Sequence, residues 1–165
     1  MKLGYSDALD RLKHGGWSVE RLARREPLVA EVAERYPWLP GDYQELIEEC
    51  GLIASPSGTA WLVTTRVVAG RADVAYAWNE WEVQSLDAAD GDADWQQRIT
   101  QFWDRHFPVL MSVKDGYAYC ALDLGTFQVV RGEEPEYEAT VPIAGSLLEL
   151  LQLLASGGPK PAGWV

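Results

Sequence analysis

Two histidines, two cysteines and twenty-five carboxylates are the side chains with which this 165-residue chain could do chemistry. His14 and His106 lie far apart, and neither belongs to a spaced ligand set such as a two-histidine helical pair, so no metal site is expected. Cys50 and Cys120 lack a close partner, which argues against a redox motif. A disulfide between them can be drawn, but buried free thiols in a reducing compartment are the expectation. Nucleophilic catalysis would need Ser or Cys brought to His and an acid; no nucleophile elbow and no phosphate-cradling glycine pattern is present. Paired carboxylates stay open because acids abound, yet no catalytic or cofactor-binding residue stands out, and no enzyme or cofactor is expected. Asp123, the one acid inside an apolar stretch, either faces solvent by strand alternation or bonds the backbone of the turn that follows.

Charge points to contact rather than chemistry. The formal net charge is −11, which makes direct binding to a phosphate backbone an unfavourable proposition. It is also uneven: residues 1–40 carry +1 and residues 41–165 carry −12. Between residues 72 and 97 there are seven acids and no Lys or Arg, with Trp78, Trp81 and Trp95 interleaved. One reading is a solvated loop whose tryptophans turn into the core. The other is an acidic, aromatic contact surface for a basic protein, built from Trp78, Trp81, Glu82, Asp87, Asp90, Asp92 and Asp94. A second acidic stretch supplies Glu133, Glu134 and Glu136. Arg21, Arg24 and Arg25 form a small basic patch that reads as a solvated face.

The elements that must position these residues follow from periodicity and punctuation. Residues 117–124, aromatic and apolar between glycines, form a strand that returns through Gly125 into 127–130; this hairpin organises the chain. A strand over 109–113 precedes it, giving an antiparallel meander. Ser6 caps a helix carrying Leu9 and Leu12 that closes at Gly15-Gly16. Ser18 caps a second helix with Val19 and Leu22, and a third runs from Pro27 to Pro37. Pro40 to Gly51 is an amphipathic helix with Tyr43, Leu46, Ile47 and Cys50 on one face, stopped by a left-handed Gly51. Residues 60–65 read as a strand and 74–78 as a possible one. Asp94 caps a helix with Ile99, Phe102, Trp103 and His106 on one side, stopped by Pro108. Ser146 opens a capping box with Glu149, and Leu147, Leu150, Leu151 and Leu154 make the stripe of the helix expected to cover the hairpin. The class is α+β in one domain: residues 1–26 as a helical extension, 27–157 as the core and 158–165 as a mobile tail. No signal peptide or spanning segment is read, and a cytoplasmic location is expected.

Three blocks in this order resemble the SUKH superfamily, which joins bacterial immunity proteins with fungal regulators of cell-wall assembly (the Smi/Knr group). They are Leu39-Pro-Gly-Asp-Tyr-Gln-Glu-Leu-Ile with Gly51; Tyr119 to Asp123 with Phe127 to Val130; and Ile143-Ala-Gly-Ser146 opening into 147–151. The resemblance covers roughly residues 30–155. It departs from the family pattern at Asp115-Gly116, which runs into Tyr117 without a further Gly-Asp. It implies a non-enzymatic α+β module with a mainly antiparallel sheet that neutralises a toxin, often a nuclease. The alternative is a regulatory or scaffold module that engages a peptide or host protein through its tryptophans.

Overall fold

The computed structural model describes residue 1 and residues 3–156. The expected tail over 158–165 and the glycine stop at 157–158 lie outside them. The described residues form an α+β fold around one seven-stranded antiparallel sheet in which every strand pairs with its neighbour in sequence, β1 to β7. Hairpin connections join β4–β5 and β5–β6. Helices fill the long connections: α2 (Ala30–Arg35) and α3 (Gly41–Glu49) between β1 (Ser18–Arg21) and β2 (Cys50–Ala54), and α4 (Thr65–Val68), α5 (Glu80–Ala88) and α6 (Ala93–Arg105) between β3 (Ala60–Leu62) and β4 (His106–Ser112). β5 (Ala118–Asp123), β6 (Val129–Glu133) and β7 (Val141–Ala144) complete the sheet, with α1 (Leu3–His14) at one end of the chain and α7 (Leu147–Ala155) at the other. Among the described residues, no helix is long and apolar enough to cross a membrane.

The expected hairpin is the centre of this sheet. β5 pairs on one side with β4 (Cys120 opposite Leu110) and on the other with β6 (Cys120 opposite Arg131). Both β4 and β5 are buried along nearly their whole lengths, so both faces of the sheet's centre are covered. α3 and α7 form where their apolar spacing places them. Tyr43, Leu46 and Ile47 bury one face of α3, and Leu147, Leu150, Leu151 and Leu154 bury one face of α7. The forward half of the expected α7 capping box is made, Glu149 N–H donating to Ser146 Oγ at 3.1 Å, while the return bond falls one residue earlier, Glu149 Oε2 accepting from Gly145 N–H at 2.6 Å. α7 packs against α1 and β7.

Several expectations are overturned. Ser18 does not cap a helix: it starts β1, the sheet's edge, with Val19 opposite Ile53. Gly16 at φ 93° and the Trp17 N–H bond to the Leu12 carbonyl turn the chain out of α1 directly into that pairing. α1 is the helix expected at the N-terminal end, and the residues that follow it join the sheet as its edge strand. α1 also begins before Ser6, at Leu3. Cys50 is not on a helix face but opens β2, and Gly51 is a strand residue. A Cβ at Gly51 would lie 2.9 Å from the Glu20 carboxylate, the end of an exposed side chain that can swing aside. Residues 74–78 form no strand. Asp92, not Asp94, caps α6, accepting the Trp95 N–H at 3.0 Å. His106 lies in β4, and Pro108 sits inside that strand beside a register shift, where a missing N–H is tolerated. α5 and β7 arise where no element was expected. Both cysteines are free and buried, and burial pushes the Cys50 thiol up to about 11.

Candidate functional site

α5 is held against the sheet by one tryptophan. Trp81 is 1 % exposed and stacks between Tyr117 (centroids 4.8 Å apart, 18° between planes) and Tyr137 (5.5 Å, 10°), with Tyr76 at 5.3 Å. Tyr137 belongs to the β6–β7 connection and Tyr117 to the residues leading into β5. The stack therefore ties an insert between β3 and β4 to a loop more than forty residues later. Polar bonds fix the same joint: Tyr137 Oη donates to Gln84 Oε1 at 2.9 Å, and Trp103 Nε1 donates to Glu138 Oε1 at 2.8 Å. The Tyr119 hydroxyl also donates to the Tyr137 carbonyl. Gly132 makes room for this arrangement, because a Cβ there would come within 2.6 Å of the Tyr119 ring.

The structure divides the expected contact residues. Trp81 belongs to the core, so it does not present a face to a partner. Trp78 is half-buried, 6.0 Å from both Tyr36 and Phe107, and packs inward as well. Glu82 is buried and bidentate to Arg35, with oxygens 2.9 and 2.7 Å from the guanidinium nitrogens, so its charge is spent inside the molecule. The reason is periodicity: once residues 80–88 coil into a helix, positions 78, 81, 82 and 85 share its inner side. The reading of tryptophans turned into the core is the one realised for Trp78 and Trp81.

The remaining acids stay outside. Asp87, Asp90, Asp92, Asp94, Glu133, Glu134 and Glu136 are all exposed. Asp87 follows Gln84 by one turn of α5, and Asp90 to Asp94 form the tip of the α5–α6 helical hairpin. Glu134 accepts the Tyr117 N–H at 2.9 Å, and Glu133 pairs with Arg131 at 2.9 Å. Asp115, Glu133, Glu134 and Arg131 line an open cleft of about 210 Å³ beside the β4–β5 turn. The Tyr137–Gln84 bond ties α5, whose far end leads into the first acidic stretch, to the connection that carries the second. Among the described residues, Asp87, Asp90, Asp94, Glu134 and Glu136 have no cation within ion-pair distance. Sequence reasoning left out one exposed ring on this rim. Trp95, 42 % exposed and flanked by Asp92 and Asp94, is the tryptophan that the acidic segment does display.

Asp123 is resolved in favour of the turn. Its Oδ1 accepts the Gly125 N–H at 2.8 Å and the Arg105 Nε–H at 3.1 Å, and His106 Nε2 lies 3.7 Å from Oδ2. His106 Nδ1 faces the Phe102 carbonyl at 2.7 Å; a carbonyl only accepts, so Nδ1 carries the proton. Desolvation lowers the His106 pKa. Burial pushes Asp123 up, but the Gly125 N–H and Arg105 outweigh it and bring the carboxyl below its usual value. Glu48 behaves alike: burial raises it, and the bonds from Gln44, Leu28 N–H and Arg25 more than offset this. A depressed folded-state pKa contributes stability above the unfolded value, lost as pH falls through the folded one. Stability should therefore decline from about pH 4 downward. Glu48→Gln should lower Tm at pH 7 and flatten that acid limb; an acid limb as steep as in the parent protein would show that Glu48 does not contribute to it.

Among the described residues, no three His, Cys, Asp or Glu side chains converge in a metal-sized group. No protein-family model, no curated protein and no solved structure matches this chain.

Proposed function

We propose that this protein is a non-enzymatic binding protein of the immunity type, which neutralises a basic toxin domain through its acidic rim. The observation that carries the reading is the exposure of both acidic stretches, with no cation within ion-pair distance of most of their carboxylates among the described residues. A nuclease site is basic because it holds phosphate, and an acidic partner is steered to such a surface and complements it. The resemblance of the three sequence blocks to the SUKH superfamily supports the same role, and a cytoplasmic site of action belongs to the same reading. The contact residues of this proposal are Asp87, Asp90, Asp92, Asp94, Glu133, Glu134 and Glu136; Trp78, Trp81 and Glu82 leave it.

The experiment takes the product of the neighbouring gene, in inactive form where it is a toxin, and measures its association with this chain across a salt series. A stable complex is expected, with an on-rate that falls as salt rises because exposed charges are screened. Changing Asp87, Asp90, Asp92 and Asp94 together to Asn should slow association by at least tenfold, on the order of what electrostatic steering supplies, while leaving the melting curve in place. Absence of a complex overturns the proposal. An on-rate indifferent to both salt and substitution removes its electrostatic basis.

A further inference from the structure

The apolar stripe of α6 runs past the core at its N-terminal end. Trp103 and Ile99, one turn apart, are fully buried, and Trp95 stands one further turn back on the same side of the helix. Burial stops there. Trp95 is 42 % exposed, and among the described residues its ring meets no other aromatic ring and lies under no cation. Asp92 fixes where the ring is shown. Its Oδ1 accepts the Trp95 N–H at 3.0 Å and its carbonyl accepts the Gln96 N–H at 2.9 Å, which closes the first turn of α6. A helical side chain leans back over the turn before its own Cα, so the indole leans towards Asp92 rather than along the helix. The cap uses one oxygen of Asp92. Its other oxygen, and the carboxylate of Asp94, which precedes Trp95 in the chain, have no donor within bonding distance among the described residues. Arg98, one turn further on, pairs with neither acid and does not lie over the ring.

Ring and acids together select a cation of particular shape. An apolar side chain laid on the indole would desolvate two carboxylates without pairing them, which is costly. A lysine ammonium would satisfy the acids, but it is a compact and strongly hydrated point charge. A guanidinium is flat and weakly hydrated: it can lie on the indole face while the N–H groups at its edge donate to carboxylate oxygens beside the ring. We propose that Trp95, with Asp92 and Asp94, is the seat of an arginine side chain of a basic partner protein. The inference rests on the reading of the acidic stretch as a contact surface and goes beyond it by naming the side chain that the surface receives. Charge brings the partner in, and the ring distinguishes arginine from lysine.

End-blocked hexa-arginine and hexa-lysine peptides, titrated into the full chain, test it. Binding is followed through the tryptophan indole signals in a proton–nitrogen correlation spectrum, and Trp95→Phe identifies the signal of Trp95. That signal should move on addition of hexa-arginine. Hexa-lysine should bind about threefold to fivefold more weakly, the factor that an exposed cation–π contact supplies. Trp95→Ala should bring the two peptides to equal affinity and leave the melting curve in place, since the ring lies outside the core. Equal affinity of the two peptides for the parent protein overturns the inference. So does a Trp95 signal that stays still at saturation, or the absence of binding by either peptide at millimolar concentration. The two readings fail separately. A complex with the neighbouring gene's product whose dissociation Trp95→Ala leaves unchanged overturns the arginine seat and leaves the acidic surface standing. A missing complex, beside an arginine preference that Trp95→Ala abolishes, overturns the immunity reading and upholds the seat.

Discussion

Trp81→Ala is expected to destabilise the fold by about 3–5 kcal/mol, the range for removing a fully buried aromatic. For a chain of this size, each kcal/mol moves Tm by roughly 2–4 °C. The loss goes beyond one cavity, because Trp81 is the middle ring between Tyr117 and Tyr137 and joins α5 to two loops of the sheet. Trp81→Phe should be milder: it keeps a stacked ring and deletes an indole N–H that has no partner in its buried position. Thermal unfolding followed by near-ultraviolet circular dichroism reads both effects, since packed aromatic rings contribute to that signal. A Trp81→Ala protein that melts like its parent but no longer binds its partner would place Trp81 in the interface after all and restore the reading in which tryptophans make the contact.

Glu82→Ala is expected to cost less, about 1.5–3 kcal/mol, because it removes a bidentate charged hydrogen-bond partner from a part-buried Arg35 that still holds Asp104. Arg35 also reaches Asp104 at 2.9 Å and lies 5.2 Å over the Tyr36 ring, so one guanidinium joins α2, α5 and α6. Replacing both charges together, Arg35→Met with Glu82→Leu, should recover most of the loss, since a buried ion pair exchanged for apolar packing is often neutral. A double-mutant cycle in urea measures the coupling. A Glu82→Ala protein of undiminished stability would show that the pair does not hold the α5–α6 insert in place. The acids of the rim should behave oppositely, since their substitution alters association and leaves stability nearly untouched.

Features governed by neighbours in sequence could be read before folding. The Tyr43, Leu46 and Ile47 stripe, the Ser146 cap, the leucine stripe behind it and the hairpin around Gly125 all depend on contacts within a few residues, and all are present. The α+β class and the antiparallel order of the central strands followed from them. Where two local signals competed, the reading failed. Ser18 has the chemistry of a helix cap, but an edge beside Ile53 was open to pair with Val19. Asp92 and Asp94 both suit the cap of α6, and only the path of the chain after Gly91, at φ 82°, selects Asp92. His106 and Pro108 looked like the end of a helix, yet the helix stops one residue earlier so that β4 can pair with β5.

The same division holds for the site. Composition alone determined that the chain is strongly acidic, that its acids crowd into two stretches and that aromatic rings lie among them. Tertiary structure decided which of those groups face water. It turned Trp78, Trp81 and Glu82 inward and left Asp87, Asp90, Asp92, Asp94, Glu133, Glu134 and Glu136 outside. The physical reason is that side-chain direction depends on helix phase and burial on partners far away in the chain: Tyr117 and Tyr137 bury Trp81, and Arg35 neutralises Glu82, across separations that no local pattern encodes.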